Sequence, residues 1–164
     1  MDRPSIRIKP DKLDKTVDVL NLIVLFFTVA LPVFYFSDLP SLIPKHFNIK
    51  GIPDSYGSKY FIIILPFISV IFYIGCTVLK RYPHILNYPL EITNENAESQ
   101  YHLAVKMIRF LLLILLSAFA YITFATIQTA FDNSQGLGYF FIPVFVFLIL
   151  FAITYFIYLL ARKR

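Results

Sequence analysis

The chain has 164 residues, of which 58% are hydrophobic, 18% aromatic and only 15% charged. A soluble domain carries about a quarter of its residues as charges, and here the apolar residues come in unbroken runs, which excludes a water-soluble globule and equally a disordered chain. The single cysteine, Cys76, leaves no intrachain disulfide possible.

Residues 1–16 form a tail carrying Arg3, Arg7, Lys9, Lys12 and Lys15, and the first apolar stretch, Val17–Phe36, follows it. A secretory signal has an apolar region of ~7–15 residues and a small-x-small cleavage site. This stretch is longer and runs into Ser37-Asp38-Leu39-Pro40, so it reads as a retained helix. Three more stretches follow, Tyr60–Leu79, Met107–Gln128 and Tyr139–Ala161. At ~1.5 Å of rise per residue, each reaches roughly the 30 Å of a hydrocarbon core. The only acid in them is Asp18, at the very start of the first. Backbone groups in lipid must be satisfied internally, so helices are the default spanning form, and the runs lack the alternation of a membrane barrel. The expected fold is an all-α integral membrane protein, with residues 17–164 forming a single four-helix domain.

Orientation follows from the basic residues. The tail has five, the second loop four (Lys80, Arg81, Lys106, Arg109) and the C-terminus three (Arg162, Lys163, Arg164). The first loop has Lys45, Lys50 and Lys59, and the third loop has none. Twelve against three places the termini and the second loop in the cytoplasm, with the protein in the cell membrane. The net charge of +5 is thereby a topology signal, and no nucleic-acid partner is expected.

Within this frame, Pro32 and Pro66 each remove a backbone donor and predict a kink or an early helix end. Ser58 is a candidate N-cap for the second helix. Thr93 or Asn94 is the candidate cap of a third helix running to Gln128, ~50 Å long. Its first turns would stand beyond the apolar core, with Lys106 and Arg109 snorkelling to the interface.

The first loop, residues 39–59, is longer and more apolar than a plain connector needs. Leu42, Ile43, Phe47, Ile49 and Ile52 are set among prolines and glycines, which predicts a compact, ordered loop packed on the membrane surface. Its candidate binding or structural network is Pro44, His46, Phe47, Asn48, Gly51, Asp54, Tyr56, Ser58 and Lys59.

Leu39-Pro40, Ile43-Pro44, His46-Phe47-Asn48, Gly51, Asp54, Tyr56, Ser58-Lys59 and Leu65-Pro66 resemble the signature of a bacterial membrane domain of unknown function. That domain forms the N-terminal part of SdpI-type immunity proteins. The second loop, from Asn87-Tyr88-Pro89 through Glu95-Asn96-Ala97-Glu98 to Gln100-Tyr101, is similar to the segment that follows it in many relatives. The resemblance covers roughly residues 20–102. It implies protection against a secreted peptide toxin and a cytoplasmic regulator held at the membrane, for which Asn87, Tyr88, Glu95, Asn96, Glu98 and Tyr101 are the candidate face. SdpI-type proteins carry a further C-terminal membrane module, and nothing after Gln128 resembles it.

No catalytic constellation stands out. A catalytic metal needs at least three protein ligands around an open site, and the topology puts His46 across the membrane from His84 and His102. Glu98 and His102, four apart on one helix face, offer half a metal site, but a helix-surface pair is the more ordinary arrangement. Cys76, Ser69, Ser117, Thr123 and Thr126 read as packing residues. No cofactor and no metal are expected, and the chain is not read as an enzyme. The sequence points to sensing or immunity through the 39–59 loop. The alternative is an accessory subunit or small permease working as a homo-oligomer, with a polar seam of Asn21, Ser69 or Gln128.

Overall fold

A computed structural model of the chain describes residues 3–162; Lys163 and Arg164, counted above at the C-terminus, lie outside the described residues. Four helices are long and apolar enough to cross a membrane, so the chain is a multi-pass membrane protein.

Helix α1 spans Lys12–Tyr35, starting before the apolar stretch because Asp11 caps it. Asp11 Oδ1 accepts the Asp14 N–H at 2.8 Å, and Asp14 Oδ2 accepts the Asp11 N–H at 2.9 Å. This reciprocal box satisfies two otherwise orphaned donors. Asp14, Val17, Asn21, Thr28 and Pro32 then fall on one buried face. Pro32 lies in the last turn, and the helix ends three residues beyond it.

Between α1 and the second span, the ordered loop is an antiparallel hairpin of β1 (Leu42–Phe47) and β2 (Pro53–Ser58). The fold therefore adds a small two-stranded sheet to the expected helices. A 3-10 turn over Lys59–Ile63 leads into α2 (Ile64–Leu79). Ser58 precedes that turn without a side-chain capping bond, so the expected cap does not form. Pro66 stands in the first turn of α2, where an N–H has no intrahelical partner to lose.

Helix α3 spans Ala97–Ala130, 34 residues or about 50 Å. The turn that leads into it is capped by Thr93, as expected: the Thr93 N–H donates to Asn96 Oδ1 at 2.9 Å, the Asn96 N–H to Thr93 Oγ1 at 3.4 Å, and the Ala97 N–H to Thr93 O at 3.0 Å, a reciprocal box like that at Asp11. Helix α4 spans Phe141–Arg162.

Helix α3 packs on α1, α2 and α4, while α2 and α4 flank it without packing closely on each other. Ion pairs from His102 to Asp14 and from Lys80 to Asp18, with the Gln100 Nε2–Leu160 O bond, put the start of α1, the end of α2, the start of α3 and the end of α4 at one end of the bundle. The hairpin caps the other end.

Candidate ligand chamber beneath the hairpin

The hairpin is held from three sides. From within, Asn48 Oδ1 accepts the Lys50 and Ile52 N–H groups at 2.9 and 3.2 Å, and the Asn48 N–H reaches Ile52 O at 2.9 Å. Gly51 turns there at φ +75°, a conformation that costs glycine little. From below, Ile43 is fully buried with Leu39, Ile62 and Ile127. Lys59 Nζ donates to Phe36 O at 3.0 Å and lies 4.8 Å from the centre of the Phe36 ring, closing the C-terminal end of α1. From the side, the Leu137 N–H donates to Gly51 O at 2.8 Å, and Tyr121 Oη donates to Leu137 O at 2.9 Å. The hairpin tip is thus latched to the α3–α4 loop.

Register explains which side chains remain free. Pro44 pairs with Tyr56 and His46 with Ser55, so Lys45 is an extra residue in a β-bulge. Bulges bend a strand and re-aim its side chains. His46 Nδ1 and Asp54 Oδ1 lie 2.6 Å apart in the open, and Tyr56 is exposed. Of the nine residues singled out in this loop, Asn48, Gly51 and Lys59 build it, and Pro44 is buried in it. Phe47 is half-buried and Ser58 is exposed, while His46, Asp54 and Tyr56 present polar atoms outward.

Under β1, in the gap between α2 and α4, lies a chamber of about 410 Å³. That is within the range of ligand-binding pockets, ~300–1,000 Å³. Its walls are mostly apolar, with Phe61 and Leu65 from the second span, Ile122 from α3 and Phe141 from α4. Lys45 and His46 come from the hairpin, and Thr123 and Thr126 from α3. The Lys45 ammonium lies 5.8 Å from the Phe61 ring centre and makes no ion pair among the described residues. Lys45 was passed over on the sequence because only the bulge sets it apart.

The opposite end of the bundle departs from expectation. Arg109 does not snorkel but is drawn inward by carboxylates of α1, while Lys106 reaches back to the exposed Asp11 at the start of that helix. Arg109 was counted with the loop, yet it lies inside the apolar stretch and is only 6% exposed. Its Nε donates to Asp18 Oδ2 at 3.0 Å, and a terminal nitrogen is 3.4 Å from the fully buried Asp14 carboxylate. Lys106 Nζ is 2.7 Å from Asp11, and Lys80 Nζ is 2.6 Å from Asp18. His102 turns to Asp14 at 2.8 Å rather than pairing with Glu98. Asn21 Nδ2 donates to the Arg109 carbonyl at 3.2 Å. The hydrogen bond from Lys106, then that from the Asp14 amide, holds the Asp11 carboxyl down at about 2. Asp11, Asp14 and His102 bring their ligand atoms within 4.8 Å of one another, but Lys106 and Arg109 already supply the counter-charge. Two complementary stripes were legible: aspartates at 11, 14 and 18, and bases at 102, 106 and 109, each at helical spacing.

The six residues proposed for a cytoplasmic partner divide. Tyr101 is fully buried with Ile92 and Ala97, against Ile8 and Tyr88. Tyr88 Oη donates to Pro83 O at 2.8 Å, and burial pushes its phenol upward. Asn96 ties down the turn before α3 through Thr93 and Glu91. Asn87, Glu95 and Glu98 are exposed.

Residues 23–70 match the family described as Domain of unknown function (DUF1648), a stretch that contains the whole hairpin and both helix ends that carry it. The chain is also similar to an uncharacterized protein of Archaeoglobus fulgidus, 28% identical over 141 residues and covering 77% of each chain. No solved structure matches it.

Proposed function

We propose that this is a non-enzymatic protein of the cell membrane that detects or neutralises a membrane-active agent at the extracytoplasmic face. The hairpin and the chamber it roofs would be the receiving site. Both termini are cytoplasmic in this reading, on the strength of the basic residues, which still stand eleven to three once Arg109 is counted with its helix. The carrying observation is the chamber itself: a loop latched at tip, base and side, held over an apolar space with Lys45 and His46 at its rim. Ordered loops on rigid scaffolds are where binding residues concentrate. The resemblance to SdpI-type immunity proteins suggests a peptide toxin as the agent, and exposed Asn87, Glu95 and Glu98 suit a cytoplasmic regulator.

The test compares a deletion strain with its parent under challenge by membrane-active peptides. Complementation with H46A, D54A and the chamber-filling T126F is scored at matched protein level. Resistance lost in these variants supports the reading; full complementation by all three ends it.

The accessory-subunit or permease alternative draws on buried Asp14 and Arg109, since ionisable groups between spanning helices often mark ion pathways. Each of these charges already has an opposite partner. That arrangement suits a fixed joint between α1 and α3, and the receptor reading is preferred.

A further inference from the structure

The hydroxyl of a threonine or serine inside a helix ordinarily donates to the carbonyl four residues back. Four side chains here do so: Thr16 to Lys12 at 3.0 Å, Thr28 to Val24 at 2.8 Å, Ser69 to Leu65 at 2.7 Å and Thr129 to Ala125 at 2.7 Å. Thr123 does not. It is 1% exposed, it lines the chamber, and its buried hydroxyl has no hydrogen-bond partner among the described residues. An unmade bond in such a place is a desolvation cost that a bound acceptor would relieve. Lys45, at the same chamber, is a cation that pairs with no carboxylate among the described residues. The walls between them are apolar, and the flanking helices α2 and α4 leave the gap open along α3.

We propose that the chamber holds one acyl chain of a lipid-like amphiphile with a negatively charged head, entering from the bilayer between α2 and α4. The inference rests on the chamber being the receiving site. The anionic head would meet Lys45, the chain would lie along Leu65, Ile122 and Phe141, and an ester carbonyl below the head would accept the Thr123 hydroxyl. Charge complementarity favours this occupant over a zwitterionic one, and the apolar walls favour it over a free anion.

The chain contains no tryptophan, which permits a direct test. F141W puts a single fluorescent reporter in the chamber wall, and F147W puts one on the exposed face of α4. Each full-length protein is reconstituted in phosphatidylcholine vesicles and titrated with bromine-labelled lysophosphatidylglycerol or lysophosphatidylcholine. In F141W, quenching by the glycerol lipid should saturate at about five-fold lower mole fraction, the worth of one exposed ion pair; in F147W the two lipids should quench alike. K45Q, a change at an exposed position, should erase the preference, and T123V should weaken the saturable quenching. Equal half-points in F141W, meaning annular lipid only, or a preference that survives K45Q, would overturn the proposal. So would displacement of neither lipid by T126F in a protein that still melts normally. A peptide with a free C-terminus that relieves the quenching in F141W saturably, where unlabelled lipid does not, would overturn the lipid occupant and leave the receiving site standing. Lipid binding as expected, in a protein whose loss leaves peptide resistance unchanged, would instead remove the sensing role.

Discussion

Arg109 and Asp18 join α3 to α1 through an Nε–Oδ2 contact of 3.0 Å, with the guanidinium almost wholly buried. Removing one partner of such a pair leaves an uncompensated charge and costs about 3–5 kcal/mol. R109M should therefore lower thermal stability sharply, and D18N less so, because Asp18 is a third exposed and Asp14 still faces the guanidinium. A double-mutant cycle read by thermal unfolding in detergent checks the coupling. Additive effects would mean the contact is not formed.

The second expectation concerns acid. Asp11 is held at about 2, below its usual 3.8, so the folded state binds its proton later than the unfolded chain. Its contribution to stability is complete above pH 3.8 and fades as the pH falls towards 2. K106M removes the chief cause and should bring the Asp11 midpoint up towards 3.8. Carboxyl-carbon NMR titration, with D11N to assign the signal, measures this.

Glycine tests the latch. Gly136 sits at φ +121°, and a Cβ there would come within 2.1 Å of Gly51 O. G136A should detach the hairpin tip and speed hydrogen exchange of the Leu137 amide. G75A, where nothing lies within 4 Å, should be neutral or stabilise α2 by about 0.5–1 kcal/mol.

The two kinds of hairpin residue should separate cleanly. H46A and D54A break an exposed pair worth about 0–1 kcal/mol and should leave protein level unchanged, so any phenotype reports on binding. N48A and I43A remove a turn and a core side chain, the latter at about 2–5 kcal/mol. Both should reduce folded protein, read by limited proteolysis of the hairpin.

The spans were legible because a bilayer demands one thing of them, an uninterrupted apolar run of fixed length. The hairpin was not: Pro44 in β1 and Gly57 in β2 mask a strand pattern, and the pairing depends on Ile43 finding Ile62 and Ile127, contacts no local signal reports. Gly51 did mark the turn. Arg109 misled because a base near a helix end usually escapes to water. Here Asp14 and Asp18 on the neighbouring helix gave a better destination. Lys45 looked like one more surface cation until the bulge set it apart.

The joint between α1 and α3 also has an order in time. The carboxylates of Asp14 and Asp18 leave the ribosome 88 and 91 residues before the imidazole and guanidinium that receive them. Lys80 comes first, 62 residues after Asp18, so α1 and α2 can meet as a hairpin of helices while Asp14 still waits. Asp14, already tied into the cap at Asp11, meets His102 and Arg109 only when α3 arrives. In the order of synthesis, α3 is the element that closes the set of ion pairs around Asp14 and Asp18.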